Sequence, residues 1–284
     1  MAAPTRPARE PARFADRTYF ITGVARGQGR SHAVRLAAEG ASIIGVDLCA
    51  DTGTVGYPPA TPEDLDATIA EVEAAGGQIV ARVADVRDRA ALDAVLTEGV
   101  AAFGTLDGVI ANAGICSYGR LWELSDEQWQ SVVDINLTGV FHTLRATVPL
   151  LLDRDTDAPD GHGGSIVITT SGAGIKPLPL LAHYSASKAG VIAMARSLAH
   201  EVAAHHVRVN VVAPTAVKTP MGSDATLREV IAAHPEATAA FGNLLPIGSV
   251  DAVDITEAVT WLLSDAARYV TGVVLPVDAG TTIR

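Results

Sequence analysis

The chain is short of positive charge: 21 lysines and arginines stand against 32 aspartates and glutamates, a formal net charge of −11. Nucleic acids and acidic membrane surfaces are bound by basic faces, so this balance argues against both as partners. Cysteine is nearly absent. Cys49 and Cys116 are too few for a disulfide framework and suit a reducing cytoplasm, where both read as buried structural thiols. No apolar run approaches the ~20 residues that a membrane-spanning helix needs. The opening MAAPTRPAREPAR is rich in Pro and Arg but has no apolar core, so residues 1–14 read as a disordered tail and not a secretory signal. Metal-ligand spacing is also missing among the eight histidines. The polar stretch Asp153–Gly164, DRDTDAPDGHGG, starts like a calcium loop. It places Ala158 and Gly164 where such a loop needs Gly and Glu, so no metal site is expected.

Aromatic residues are scarce too, at 5%, within a chain that is 48% hydrophobic. A core built from Ala, Val and Leu is the usual make-up of an α/β chain around a buried parallel sheet. Strand and helix patterns alternate from about residue 15 to the end, with no linker or repeat. This predicts one doubly wound domain of about seven parallel strands over residues 15–284.

The first strand, Thr18–Thr22, runs into Gly23-Val-Ala-Arg26-Gly27-Gln28-Gly29 and then a helical pattern from Arg30 to Glu39. Strand, glycine-rich turn and helix together cradle a phosphate: glycines admit the backbone, and the helix N-terminus offers N–H donors and a positive dipole end. The second strand ends at Asp47-Leu48, with Asp47 18 residues beyond Gly29. A carboxylate there suits ribose hydroxyls and repels a 2′-phosphate, which favours NAD over NADP. Arg26 argues the other way, since a base in the glycine loop can accept that phosphate.

A turn-rich insert follows to Pro62, and then a helix with Thr61 as its cap. A third strand, Gln78–Val86, closes at Asp85-Val86, where Asp85 can reach an adenine amine. A helix carrying Leu92, Leu96 and Val100 leads to a fourth strand ending in Asn112-Ala113-Gly114. These small residues leave room for a cofactor, and Asn112 can tie neighbouring strands together. Ser125 and Gln128 form a capping box that opens one long helix to about Leu152, with Asn136 inside it.

The chemistry-bearing stretch is TSGAGIKPLPLLAHYSASK. Ser171 follows the fifth strand, and Tyr184 and Lys188 stand four apart on one helix face. A lysine ammonium beside a tyrosine stabilises the phenolate and so makes it a proton-transfer group at neutral pH. After a sixth strand come Pro214, Val217, Thr219 and Met221, and then a looser stretch to about 249 that reads as a substrate-covering segment. Apolar pocket walls are expected from Ile115–Tyr118, Leu178–Leu181 and the residues after Met221.

Thr22-Gly23-x-x-x-Gly27-x-Gly29, Asn112-Ala113-Gly114, Asn136 in DINLTG, and Ser171 13 residues before Tyr184 occur in order, and the chain thereby resembles the short-chain dehydrogenase/reductase family. ARGQGRSHAVRLAAEGA and YVTGVVLPVDAG resemble its carveol-dehydrogenase-like, mycofactocin-associated branch. The resemblance implies NAD-dependent interconversion of an apolar secondary alcohol and its ketone. Asn136, Ser171, Tyr184 and Lys188 would form the catalytic set. Coenzyme contacts would come from Gly23, Arg26, Gly27, Gln28, Gly29, Asp47, Leu48, Asp85, Val86, Asn112, Ala113, Gly114, Tyr184, Lys188, Pro214, Val217, Thr219 and Met221. It also implies tightly held NAD with mycofactocin as redox partner, and a homotetramer. An NADP-dependent carbonyl reductase and a non-catalytic nucleotide sensor are the alternatives. One departure is Pro214-Thr215, where the family usually has Pro-Gly.

Overall fold

The computed structural model describes residues 12–153 and 163–284. Most of the Asp153–Gly164 loop, with its calcium-like start, lies outside the described residues, as does the tail up to residue 11. Phe14, assigned to the tail from composition, packs into the fold instead. Phe14 is fully buried and meets Tyr19 edge-on, ring centres 5.5 Å apart.

Seven strands form one sheet: β1 (Thr18–Thr22), β2 (Ser42–Asp47), β3 (Gln78–Val83), β4 (Gly108–Ala111), β5 (Gly164–Thr169), β6 (Val207–Pro214) and β7 (Val274–Val277). Every pairing is parallel and the order is β3-β2-β1-β4-β5-β6-β7. Strand order reverses between β1 and β4. A ligand crevice opens at such a point, at the carboxyl ends of the strands.

Parallel strands need crossovers, and here helices supply them on both faces: α1 (Gly27–Ala38), α2 (Pro62–Ala74), α3 (Arg89–Phe103), α4 (Asp126–Val133), α5 (Gly139–Leu152), α6 (Ala182–Val202), α7 (Ala225–Ala233) and α8 (Ala252–Leu263). Side chains alternate along each strand, so the sheet has two cores. Phe20, Ile44 and Val109 face α3, α5 and α6, where Leu92, Leu144 and Val191 meet them. Tyr19, Ile21 and Ile43 face the other way, toward Leu36 of α1, Leu65 of α2 and Val259 of α8. Each core is closed by burial of aliphatic side chains, worth roughly 1.5–3 kcal/mol apiece.

The expected cap at Thr61 forms and is completed as a capping box, and the expected box at Ser125 forms too. Thr61 Oγ1 accepts from Asp64 N at 3.2 Å while Asp64 Oδ2 accepts from Thr61 N at 3.0 Å. Ser125 and Gln128 exchange the same pair, both at 3.1 Å. The helix they open is not continuous, however. Residues Asp134–Thr138 form a π-turn between α4 and α5, and the wider i→i+5 ring re-aims the side chains it carries. The covering segment is also more ordered than its pattern suggests, with α7 and a 3₁₀ stretch Pro235–Phe241. Among the described residues no helix is long and apolar enough to cross a membrane.

Candidate active site

β1 ends in the glycine turn, and the N-terminus of α1 begins at Gly27. Close approach explains the residue at 29: a β-carbon there would sit 1.9 Å from the Gly23 carbonyl oxygen. Gly27 has a φ of +58°, a conformation costly for any side chain. The Thr22 hydroxyl accepts from Asn112 N at 3.0 Å and Ala113 N at 3.1 Å, joining β4 to β1. Asn112 Nδ2 donates to the Thr22 carbonyl and its Oδ1 accepts from Thr169 Oγ1 at 3.3 Å, so one amide ties β1, β4 and β5 as expected.

A cleft opens over these strand ends. Gly23, Arg26, Gly27 and Gln28 line it from the glycine turn, and Asp47 and Leu48 from the end of β2. Asp85 and Val86 beyond β3, and Asn112 to Gly114 beyond β4, complete its floor. Gly29, also expected to contact the coenzyme, does not line it. Asp47 Oδ2 accepts from Ala25 N at 2.9 Å, and Oδ1 accepts from Cys49 N at 3.2 Å. Arg26 turns to the insert, donating to the Pro59 carbonyl at 2.9 Å and the Pro58 carbonyl at 2.6 Å. Asp85 is gripped by Arg87, with Nε 2.8 Å from Oδ2. Burial alone would raise the Asp85 carboxyl, but the Arg87 guanidinium and backbone N–H win and hold it below its usual range.

An adjoining cavity shares Gln28, Asn112, Gly114, Thr219 and Met221 with the cleft. Ser171, Tyr184 and Lys188 stand in its wall, joined by Pro214 at the end of β6 and Val217 beyond it. Its apolar surface comes from Leu178, Leu181, Leu227 and Phe241, close to the walls expected from sequence, although Ile115 faces the cleft instead.

Tyr184 sits in the first turn of α6, in the same cavity wall as Ser171. Burial raises its phenol above the ordinary tyrosine value; the neighbouring Cys116 raises it further, and the Ser171 hydroxyl opposes them. This direction is opposite to the one expected from Lys188. The lysine Nζ lies 5.7 Å from the ring centre and donates to the Thr169 carbonyl at 2.9 Å. Lys188 is itself only 3% exposed, and burial lowers its amine to about 8. Desolvation disfavours each charged form, and at this separation it outweighs the attraction between them.

Asn136 lies in the π-turn, fully buried. Its Oδ1 accepts from Ile115 N at 2.8 Å, and its Nδ2 donates to the Ile115 carbonyl at 2.8 Å and to Ser187 Oγ at 3.3 Å. It flanks Gly114, where an added β-carbon would lie 3.1 Å from Asn136 Oδ1 and 3.3 Å from Lys188 Nζ.

Sequence reasoning missed Tyr57. Tyr57, from the insert, is buried, and its hydroxyl accepts from Cys116 N at 3.3 Å. Cys116 is buried as expected of a structural thiol, but it lines the same cavity as Tyr184. Burial pushes that thiol up to about 12, so it is no nucleophile.

The glycine cradle, the donors at the α1 N-terminus, the Asp47 carboxylate and a buried Gln28 Oε1 without a partner fit a dinucleotide. Residues 17–229 match the short chain dehydrogenase family. A (-)-trans-carveol dehydrogenase of Rhodococcus erythropolis is 44% identical over 282 residues, 96% of this chain and 100% of the relative. An uncharacterized NAD-dependent oxidoreductase of Mycobacterium tuberculosis is 46% identical over 93% of this chain and 95% of its own. The crystal structure of carveol dehydrogenase from Mycobacterium avium in complex with NAD superposes with a TM-score of 0.88 at 44% identity, covering 96% of this chain and 100% of that one. Seven parallel strands wound on both faces, a glycine cradle at the strand reversal, and this match over most of the chain make the protein a member of the short-chain dehydrogenase family.

Proposed function

We propose that the chain oxidises a hydrophobic secondary alcohol, such as a terpenoid, alicyclic or steroid alcohol, to its ketone, with NAD as the coenzyme. The observation that carries this reading is the junction of the two cavities. A wall with Ser171, Tyr184 and Lys188 opens through Gln28, Asn112 and Gly114 onto a cleft built for a dinucleotide.

Gly23 to Gln28 would hold the pyrophosphate, Asp47 the adenosine ribose, and Thr219 and Met221 the side nearest the alcohol. The carboxylate of Asp47 favours NAD over NADP, and Arg26 is already engaged by Pro58 and Pro59, which weakens the case for a 2′-phosphate. Bound there, NAD supplies a hydride acceptor for the electron pair of the carbinol C–H bond. The residues of this chain handle the proton. Ser171 holds the alcohol oxygen, and Tyr184, as phenolate, takes its hydroxyl proton while the C=O bond forms. Lys188 supplies the nearby positive charge that phenolate formation needs. Asn136, fixed on Ile115, keeps a polar route beside Lys188 for exchange of that proton with solvent. General acid–base transfer of this kind contributes ~10²–10⁴-fold.

The same proposal extends to the coenzyme's exchange. Ala50, Asp51, Thr52, Val55 and Tyr57 of the insert line the cleft, clamped by Arg26. This supports tightly held NAD re-oxidised in place by an external carrier such as mycofactocin. The test starts from purified protein with nothing added: denature it, identify the released nucleotide, and assay apolar secondary alcohols with and without free NAD. Stoichiometric NAD(H), with turnover only on addition of an artificial electron acceptor, is the expected result. Free turnover with added NAD from a nucleotide-free protein contradicts tight retention, and no oxidation under any condition contradicts the activity.

A further inference from the structure

Thr215 stands immediately after β6, in the wall of the cavity that holds Tyr184. A glycine at this position would have no hydroxyl; the threonine has one, and it points away from the reacting groups. Thr215 Oγ1 donates to Asn243 Oδ1 at 2.8 Å and lies 3.1 Å from Thr281 Oγ1. The Thr281 hydroxyl also reaches Asn243 Oδ1. Asn243 uses its Nδ2 on the Ile247 carbonyl at 2.7 Å, so the amide is held at both ends.

These three residues come from different parts of the chain. Asn243 lies in the covering segment, Thr215 follows β6 at the carboxyl end of the sheet, and Thr281 belongs to the C-terminal turn. The turn is itself firm: Asp278 Oδ2 accepts from Thr282 N at 2.9 Å and from its hydroxyl at 2.7 Å. Leu244 N and Leu245 N both donate to the Ala279 carbonyl at 2.9 Å. Lys176, five residues after Ser171, donates to the carbonyls of Thr281 at 3.2 Å and Arg284 at 3.0 Å. The far end of the covering segment is thereby tied to both loops that carry site residues. Phe241, two residues before Asn243, lines the same cavity as Tyr184.

We propose that Thr215, through Asn243 and Thr281, is the positioning residue that fixes the covering segment and Phe241 over the substrate. It thereby sets the enzyme's affinity for bulky apolar alcohols and not its chemical step. This rests on the alcohol-oxidising site proposed above. Thr215 acts on the site's shape, so its hydroxyl governs KM for substrates large enough to reach Phe241. A small alcohol that stays near Ser171 and Tyr184 does not sense it.

The test compares Thr215→Val, which removes the hydroxyl and keeps the shape, with Thr215→Ser, which keeps the hydroxyl. Asn243→Ala and Thr281→Val remove the other two members. Steady-state kinetics use a bulky bicyclic secondary alcohol and cyclohexanol, and limited trypsin digestion follows cleavage after Arg228, an exposed residue of α7. The loss of one ordinary hydrogen bond predicts about a fivefold rise in KM for the bulky alcohol in T215V, and N243A, which loses the bonds from Thr215 and Thr281 and its own to Ile247, rises at least as far. Their kcat for cyclohexanol stays within about twofold, cleavage after Arg228 accelerates by a similar factor, and T215S behaves like the parent. An unchanged KM and an unchanged cleavage rate in T215V, N243A and T281V overturn the anchor. If the parent protein oxidises neither alcohol, the reading of the site fails, and the Arg228 cleavage rates still decide whether the anchor exists.

Discussion

The Lys188 ammonium lies 5.7 Å from the centre of the Tyr184 ring, one helical turn along α6, and its own hydrogen bond goes to the Thr169 carbonyl. Burial drives the two groups in opposite directions, the phenol up and the amine down to about 8. Each is thereby biased toward its neutral form. The shifts move two nearly matched groups apart, so separating charge between them costs more here than in water.

Tyr184→Phe removes the proton carrier and little else. Turnover is expected to fall by about 10²–10⁴-fold. The affinity for NAD, measured by nucleotide fluorescence or calorimetry, should stay within a few-fold of the parent, because the glycine cradle and Asp47 are untouched. Parent-like turnover in this variant removes Tyr184 from the mechanism.

The direction of the Tyr184 shift fixes the pH dependence. Oxidation needs the deprotonated phenol, and a raised value means this form is scarce at neutral pH. Its fraction grows about tenfold per pH unit below the apparent value of the Tyr184–Lys188 pair, and kcat/KM for oxidation should rise accordingly toward alkaline pH. Ketone reduction needs the protonated phenol and should be flat across neutral pH, then fall at the alkaline end. Profiles of the same sense in both directions contradict this.

Lys188→Met trades activity for stability. The folded value of about 8 lies below the unfolded 10.5, so the fold disfavours the charged amine. That penalty is fully present below about pH 8 and fades as pH rises from there toward the unfolded value. After allowing for the lost bond to Thr169, the variant should be more stable than the parent by about 1–2 kcal/mol at pH 7. The gap should close near pH 10, as read by urea unfolding at both pH values. Lower stability of the variant at pH 7 contradicts the burial argument.

Asp47→Asn tests coenzyme choice at one atom pair. A carboxylate near a 2′-phosphate costs on the order of 1–2 kcal/mol at the effective dielectric of a partly open cleft. The variant should therefore narrow the preference for NAD over NADP by roughly tenfold, measured as the ratio of dissociation constants. An unchanged ratio assigns the choice to other residues of the cleft.

Most of the fold is legible in the sequence because its punctuation is local. The glycine turn after Thr22, the helix caps at Thr61 and Ser125, and the alternation that sends Phe20 to one core and Ile21 to the other each act within a few residues. Ser171, Tyr184 and Lys188 are legible for the same reason, since one strand end and one helical turn carry them. The π-turn at Asn136 leaves no mark in hydrophobic periodicity, so the helix there reads as unbroken. Tyr57 meets Cys116, and Asn243 meets Thr215, across loops whose paths no local pattern fixes. The direction of the Tyr184 shift was unreadable too, because it depends on burial in the finished cavity.

The central claim is hydride removal from a secondary carbinol by this chain's own coenzyme site, and a labelled substrate tests it most directly. The purified protein, supplied with NAD, is mixed with an apolar secondary alcohol carrying deuterium on the carbinol carbon, then denatured, and the nucleotide and organic product are weighed by mass spectrometry. The account predicts reduced NAD carrying one deuterium and an equal amount of ketone, with neither formed by Tyr184→Phe. Unlabelled NAD beside intact alcohol, or label appearing only when NADP is supplied, contradicts it.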